Sequence, residues 1–211
     1  MPLPGPVEFA WEVADGAQHN FSPASFRHTR GLYVAAAPCS DVPGWGAGDM
    51  DIGLRMMSLT SWFDLMCKVK VKHVVCIMDT EELRRKYEGI GEGDLAATCR
   101  GQGLSFHHAP LSEGGWPSPP ALAGAIALMR RLPALAKENT VLVCTDGREA
   151  AATTAAAWLV LECGEEPTAA LRAVEKAAAE VGARRSTLVP GADEAFIGLL
   201  AEARQILADD A

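Results

Sequence analysis

The pattern of apolar and polar positions along the chain predicts short strands alternating with longer helices. Short apolar runs, some of them rich in β-branched residues, predict strands over residues 31–38, 73–78, 104–107 and 140–144. Apolar residues spaced three or four positions apart predict helices over residues 54–69, 79–87, 93–101, 118–132, 148–162, 167–181 and 192–207. This order is typical of an α/β fold, a central and mostly parallel sheet flanked by helices.

Local signals mark the start of several of these helices. Asp79 followed by Glu82 predicts a capping box, in which each side chain satisfies a free backbone N–H of the first turn. Ser118 precedes two prolines, which favour the first turn of a helix. The helix predicted over residues 148–162 is so rich in alanine that we expect it to pack closely on several sides.

Length and composition indicate one globular domain. The chain has 211 residues, of which 49% are hydrophobic, enough for a packed core. We predict an N-terminal extension over residues 1–30 and a single domain over residues 31–208. The sequence shows no secretory signal and no apolar run long enough to span a membrane, so we expect a cytoplasmic protein, with the nucleus as the alternative.

Charge and cysteine usage exclude several function classes. The net charge of −8 argues against nucleic acid or an anionic membrane as a partner. Six cysteines without a CxxC pair are typical of reduced thiols used as small apolar side chains. His107 and His108 are adjacent on a predicted strand and therefore point to opposite faces, which disfavours a metal site. We expect neither a metal nor a cofactor.

The segment with the strongest chemical signal surrounds Cys144. An apolar strand ends in this cysteine, a short polar loop follows, and a helix begins within a few residues. A thiol facing the N-terminus of a helix is suited to nucleophilic attack on an anionic substrate, because free backbone amides favour negative charge there. The alternative is that Cys144 is a small buried apolar side chain at the end of a strand.

Two segments together resemble a known family. Cys144, two residues, Gly147 and then a helix of small residues resemble the phosphate-binding loop of cysteine-dependent protein phosphatases. Residues 106–117, which read FHHAPLSEGGWP, resemble the general-acid loop of the kinase-associated, cyclin-dependent-kinase-inhibitor-3-type dual-specificity phosphatases. The resemblance covers about residues 30–205 and implies the protein tyrosine and dual-specificity phosphatase fold.

The resemblance implies a role for each matching position. Cys144 falls on the nucleophile, which forms a thiophosphate intermediate in the family, and Glu113 falls on the general acid, where the family has aspartate. The phosphate-binding loop then consists of Cys144, Thr145, Asp146, Gly147, Arg148, Glu149 and Ala150. The implied partner is a phosphoprotein, with a cyclin-dependent kinase as one candidate.

Three positions depart from the family pattern. Val143 stands where histidine is usual, Ala150 where arginine is expected, and Ala151 where a hydroxyl residue follows. Arginine binds phosphate through two parallel donors and a permanent charge, and alanine provides neither. By analogy with arginine fingers, its loss costs roughly 10³-fold or more in rate.

The loop also carries unusual negative charge. Asp146 and Glu149 would repel a phosphate dianion and raise the pKa of the thiol. Arg148, four residues after the cysteine, is a possible substitute for the missing arginine.

Three hypotheses follow. The first is a catalytically impaired phosphatase-like protein, a pseudophosphatase, which binds a phosphoprotein or kinase. The second is an active cysteine-dependent protein tyrosine or serine/threonine phosphatase that uses Cys144. The third is a sulfurtransferase of the rhodanese type, whose loop also begins with cysteine; the match at residues 106–117 argues against it.

Overall fold

The structure of the protein is a computed structural model that describes residues 19–27, 31–42, 51–88, 94–111, 117–132, 138–185 and 192–209. Within these ranges the strands are β1 (Ser22–Pro23), β2 (Leu32–Ala36), β3 (Val71–Cys76), β4 (Ser105–His108) and β5 (Asn139–Cys144). The helices are α1 (Ile52–Lys68), α2 (Thr80–Tyr87), α3 (Leu95–Gly101), α4 (Pro119–Arg131), α5 (Glu149–Cys163), α6 (Pro167–Glu180) and α7 (Ala192–Asp209).

The strands form one mixed sheet with β5 at its centre. Their order is β1-β2-β5-β3-β4, and all neighbours are parallel except the β1–β2 pair. The predicted α/β fold with a central, mostly parallel sheet is therefore confirmed. Because the carboxyl ends of parallel strands lie at one edge, the loops after β2, β3 and β5 meet there.

Two hydrophobic layers cover the sheet. One face packs against α4, α5, α6 and α7, and the opposite face packs against α1, α2 and α3. Helix α5 lies deepest, since every residue from Ala151 to Val160 is buried. The prediction that this alanine-rich helix packs on several sides is confirmed. Its small side chains allow close contact with neighbouring helices and with the sheet.

The helices and the longer strands agree with the sequence prediction to within a few residues, and their caps explain where they begin. Asp79 accepts hydrogen bonds from the backbone N–H groups of Glu81 (2.8 Å) and Glu82 (3.0 Å), as an N-cap does. The other half of the predicted capping box differs, because the Glu82 carboxylate turns to Thr145 instead. Ser118 caps α4 through the N–H of Ala121 at 3.4 Å.

The two-residue strand β1 comes from the segment predicted as an N-terminal extension. Ser22 and Pro23 pair with β2, and the preceding His19 is fully buried. His19 Nε2 lies 3.0 Å from Ser61 Oγ of helix α1. Ser22 and Pro23 therefore extend the sheet, and His19 contacts α1. None of the helices within the described ranges combines the length and the apolar character that a membrane span requires.

Candidate functional site

Cys144 is the last residue of the central strand, at the edge where the loops meet. Neighbouring backbone groups fix this end of β5. Ala37 N donates to Cys144 O at 2.8 Å, and Ile77 N donates to Val143 O at 2.9 Å. The Cys144 side chain is 5% exposed. Cys144, the predicted nucleophile, therefore lies at the carboxyl edge of the sheet, and hydrogen bonds from the segments after β2 and β3 fix the end of its strand.

Gly147 brings the loop against strand β2. Its φ is +67°, a left-handed conformation that residues with a side chain rarely adopt. A Cβ atom at this position would lie 2.4 Å from Ala36 N and 2.6 Å from the carbonyl carbon of Ala35. Only glycine allows this approach, so Gly147 fixes the path of the loop by direct backbone contact.

The loop directs backbone donors at the sulfur. The N–H groups of Asp146, Gly147 and Ala151 interact with Cys144 Sγ and lower its pKa. Burial of the thiol and, second, the charge of Asp146 outweigh these donors and raise the pKa of Cys144 to about 11. The loop has a cradle of amides around the sulfur, yet its thiol is protonated at neutral pH.

The Asp146 carboxylate lies beside the Cys144 sulfur, next to these backbone amides. Asp146 Oδ1 accepts a hydrogen bond from Arg148 N at 2.9 Å and a long contact from Cys144 Sγ at 3.8 Å. An oxygen of a bound phosphate would approach the sulfur at a similar distance. Asp146 therefore places negative charge where the loop would receive an anion. Of the two loop carboxylates predicted to raise the thiol pKa, Asp146 is the one that does so.

The side chain of Arg148, the residue predicted as a possible substitute for an arginine at position 150, makes no hydrogen bond with the Cys144 thiol within the described part of the chain. Its Nε lies 4.0 Å from Asp146 Oδ2, and the side chain is 51% exposed. Arg148 is the residue before helix α5 and makes no side-chain capping bond there. It lines two clefts that also contain Arg184, and one of them includes the loop residue Asp146. The guanidinium lies on the rim of the loop and not among the groups that act on the Cys144 thiol.

Thr145 connects the loop to helix α2. Its Oγ1 donates to Glu82 Oε1 at 2.9 Å, and the same carboxylate oxygen is 3.1 Å from Lys86 Nζ. Glu82 thus joins a half-buried lysine to the loop hydroxyl. The sequence offered no sign of this contact, because the helix-capping pattern alone explained Glu82.

Asn20 connects the loop to the segment that follows helix α6. Its Nδ2 donates to Asp146 O at 2.8 Å and to Arg184 O at 2.9 Å, while its Oδ1 accepts from Arg184 N at 2.6 Å. Asn20 has a φ of +48°, a conformation that asparagine tolerates better than most residues. These bonds hold Arg184 beside the loop.

Arg185 is a further cation near the loop that sequence reasoning missed. Its Nη2 donates to Ser22 Oγ at 2.8 Å and to Val34 O at 3.0 Å, and so joins β1 to β2. Burial lowers the pKa of Arg185 to about 10, and the negative charge of Asp146 opposes this shift. Arg185 therefore remains charged at neutral pH and acts on the loop through its electrostatic field.

The remaining predicted site residues are placed as follows. Ala150 lies in the first turn of α5 and Ala151 is fully buried against the core, so neither brings a polar group to the loop. Glu113, the predicted general acid, lies outside the described residues.

His108 Nε2 is 2.9 Å from Met78 O, and His107 Nε2 is 3.1 Å from His73 Nδ1. Both histidines are half-buried and hydrogen-bonded.

Comparison with solved structures identifies the fold. PTPMT1 aligns with a TM-score of 0.56 at 16% sequence identity, over 90% of this chain and 99% of PTPMT1. Kinase-associated phosphatase, in a form whose catalytic-site cysteine is replaced by serine, aligns with a TM-score of 0.56 at 17% identity, over 84% of this chain and 87% of that protein. Human DUSP28 aligns with a TM-score of 0.51 at 15% identity, over 90% and 95% of the two chains.

The chain has the fold of the protein tyrosine and dual-specificity phosphatases, as the resemblance implied. No family model matches the sequence, and neither does any curated protein. At these identities the likeness extends to the fold, and the chemistry has to be argued from the residues of this chain.

Proposed function

We propose that this protein is a catalytically impaired phosphatase-like protein, a pseudophosphatase, that acts by binding a phosphoprotein. The observation that carries the proposal is the contact of Asp146 Oδ1 with Cys144 Sγ at 3.8 Å, in a loop where Ala150 supplies no guanidinium. Phosphoryl transfer depends on positioning and on stabilising the charge of the phosphoryl oxygens. This loop retains the Gly147 turn and the backbone donors around the sulfur, but the charge beside the sulfur is the negative charge of Asp146.

The state of the thiol supports the same proposal. A cysteine that attacks phosphate must be a thiolate, and positive charge or backbone donors normally stabilise that form. Burial and Asp146 instead raise the pKa of Cys144 to about 11. A protonated thiol beside a carboxylate is a poor nucleophile towards a dianion.

The proposed partner is a phosphoprotein, and a cyclin-dependent kinase is the first candidate because residues 106–117 resemble the kinase-associated branch. The alternative of an active enzyme requires Cys144 to ionise next to Asp146 without an arginine. The sulfurtransferase alternative gains nothing from the alignment of nearly the whole chain with phosphatase folds.

Hydrolysis of an aryl phosphate tests the proposal. We expect the wild-type protein and Cys144→Ser to hydrolyse it equally slowly. The double variant Ala150→Arg with Asp146→Gly should gain turnover, and adding Cys144→Ser to this double variant should abolish it. The single variant Ala150→Arg is the matched control, since it adds the guanidinium and keeps the carboxylate. Cysteine-dependent turnover by the wild type would contradict the proposal.

Binding is tested separately from turnover. A phosphorylated cyclin-dependent kinase and its dephosphorylated form are titrated against the wild-type protein by calorimetry. We expect binding of the phosphorylated form only. A thiosulfate-to-cyanide assay tests the sulfurtransferase alternative, and activity there that depends on Cys144 would replace the proposal.

A further inference from the structure

Arginines converge on the surface immediately outside the Cys144 loop. Arg148, Arg184 and Arg185 line a hollow of about 420 Å³, together with Ala183 and Glu175. Three arginines and one acidic residue therefore line this hollow, in a chain whose net charge is −8. Such a local excess of positive charge within an acidic protein is typical of a site for an anion.

The backbone holds these arginines in place. The three hydrogen bonds of Asn20 fix the backbone of Arg184 to the loop at Asp146. Arg185 is tied to β1 and β2 through Ser22 Oγ and Val34 O. The cost of ordering the main chain around the hollow is therefore met on folding and does not reduce the affinity for a ligand.

The donors of the hollow are incompletely used by the protein. The Nε atom of Arg185 has no hydrogen-bond partner in the described part of the chain, but it is buried, so Arg185 adds charge and not a direct contact for a ligand. Arg148 has only the distant Asp146 contact at 4.0 Å, and no carboxylate among the described residues lies within ion-pair distance of Arg184. Guanidinium groups bind phosphate through parallel N–H donors, so this set suits a phosphate monoester.

The same structure disfavours the loop itself as the place for that phosphate. Asp146 Oδ1 lies 3.8 Å from the Cys144 sulfur, whereas the Arg148 side chain projects to the rim. A phosphate dianion inside the loop would meet the carboxylate first and would find no guanidinium at Ala150. At the rim it meets two exposed arginines.

We propose that the hollow formed by Arg148, Arg184 and Arg185 is a phosphate-binding site outside the loop, and that it receives the phosphate monoester of the phosphoprotein partner. The part that concerns the phosphoprotein rests on the proposed function. Arg148 and Arg184 contact the phosphate, and Arg185 contributes its buried charge and holds the neighbouring backbone.

Titration with inorganic phosphate at constant ionic strength tests this site without any partner. The readout is the NMR signals of the arginine Nε–H groups and of the loop amides. We expect saturable shifts of the arginine signals with a Kd of roughly millimolar. Arg148→Gln and Arg184→Gln should each weaken binding by roughly tenfold, the effect of losing one charge-assisted contact that is partly exposed.

The matched control is Arg204→Gln, which removes the same charge from an exposed position on helix α7. It should leave the affinity unchanged, and urea unfolding should show that all three variants remain folded. The proposal is overturned if Arg204→Gln weakens binding as much as the other two, because attraction is then nonspecific. It is also overturned if phosphate shifts the amides of residues 145–151 alone, or if no saturable shift occurs.

The phosphorylated kinase separates this inference from the proposed function. If the wild type and both rim variants bind it equally, the rim site is wrong and the proposed function stands. If the wild type does not bind it but phosphate saturates the arginine signals, the site stands and the proposed partner is wrong. Loss of kinase binding in Arg148→Gln and Arg184→Gln, with Arg204→Gln unaffected, supports both.

Discussion

The protonation state of Cys144 gives the most direct prediction about this site. With a pKa of about 11, only about 0.03% of the thiol is ionised at pH 7.5. A thiol at the ordinary pKa of 9.0 would be about 3% ionised at this pH. Since the thiolate is the reactive form, Cys144 should react with an alkylating agent about 100-fold more slowly than its accessibility alone would allow.

The pH profile of alkylation distinguishes this raised pKa from restricted access of the reagent to the sulfur. Iodoacetamide labelling of Cys144 is followed by peptide mass spectrometry between pH 6 and pH 10, with the exposed Cys67 as an internal reference. A folded-state pKa near 11 predicts that the rate rises about tenfold for each pH unit across this range without a plateau. A rate that levels off near pH 6 to 7 would show a stabilised thiolate and would refute the electrostatic reasoning.

Removing the neighbouring carboxylate should change this profile in a defined direction. Asp146 is the largest charge effect on the thiol after burial, so Asp146→Asn should lower the pKa of Cys144 and accelerate labelling at pH 7.5. Glu149→Gln is the matched control, because it removes the other loop carboxylate. Equal acceleration in the two variants would mean that the net charge of the loop, and not the Asp146 contact, controls the thiol.

Three stability predictions follow from contacts of the same region, each measured by urea unfolding. Gly147→Ala should cost at least about 2 kcal/mol, since its Cβ would lie 2.4 Å from Ala36 N; a cost below about 0.5 kcal/mol would mean that the loop can move away from β2. Asn20→Ala should cost about 1 to 2 kcal/mol through its three lost hydrogen bonds, and an unchanged midpoint would show that water replaces them. Tyr87→Phe should cost about 1 to 2 kcal/mol, because the buried hydroxyl donates to Pro38 O at 2.6 Å. The free energy of unfolding of Leu83→Ala, a change on the same helix at a half-buried position, helps to judge whether the loss in Tyr87→Phe is specific to the hydroxyl.

The helices and the four longer strands were predictable because each of them carries a local signal. Strand β5 is an apolar run, α4 begins with a capping serine and two prolines, and α5 is marked by its alanines. These features depend on residues a few positions apart, which is the range over which periodicity and capping act. The Cys144 loop carries a signal of the same local kind, a cysteine and a glycine three positions apart between a strand and a helix.

The contacts that decide the chemistry of the site were not predictable, because they join distant parts of the chain. Asn20 reaches Asp146 across 126 positions and Arg184 across 164. Glu82 reaches Thr145 across 63 positions, although its spacing from Asp79 indicated a capping role. No local pattern marks such pairs, and the sequence alone gave no reason to associate Arg184 with the loop.

Under the proposed function, the site separates two requirements that an active phosphatase loop combines. Its shape depends on Gly147 packing on β2 and on backbone donors aimed at the Cys144 sulfur, and neither of these needs an arginine at position 150. Its charge depends on the side chains that the shape presents, and here that side chain is Asp146. Adding a guanidinium alone would therefore create an ion pair with Asp146 before it could bind phosphate. For this reason we expect activity from Ala150→Arg only when Asp146 is also removed.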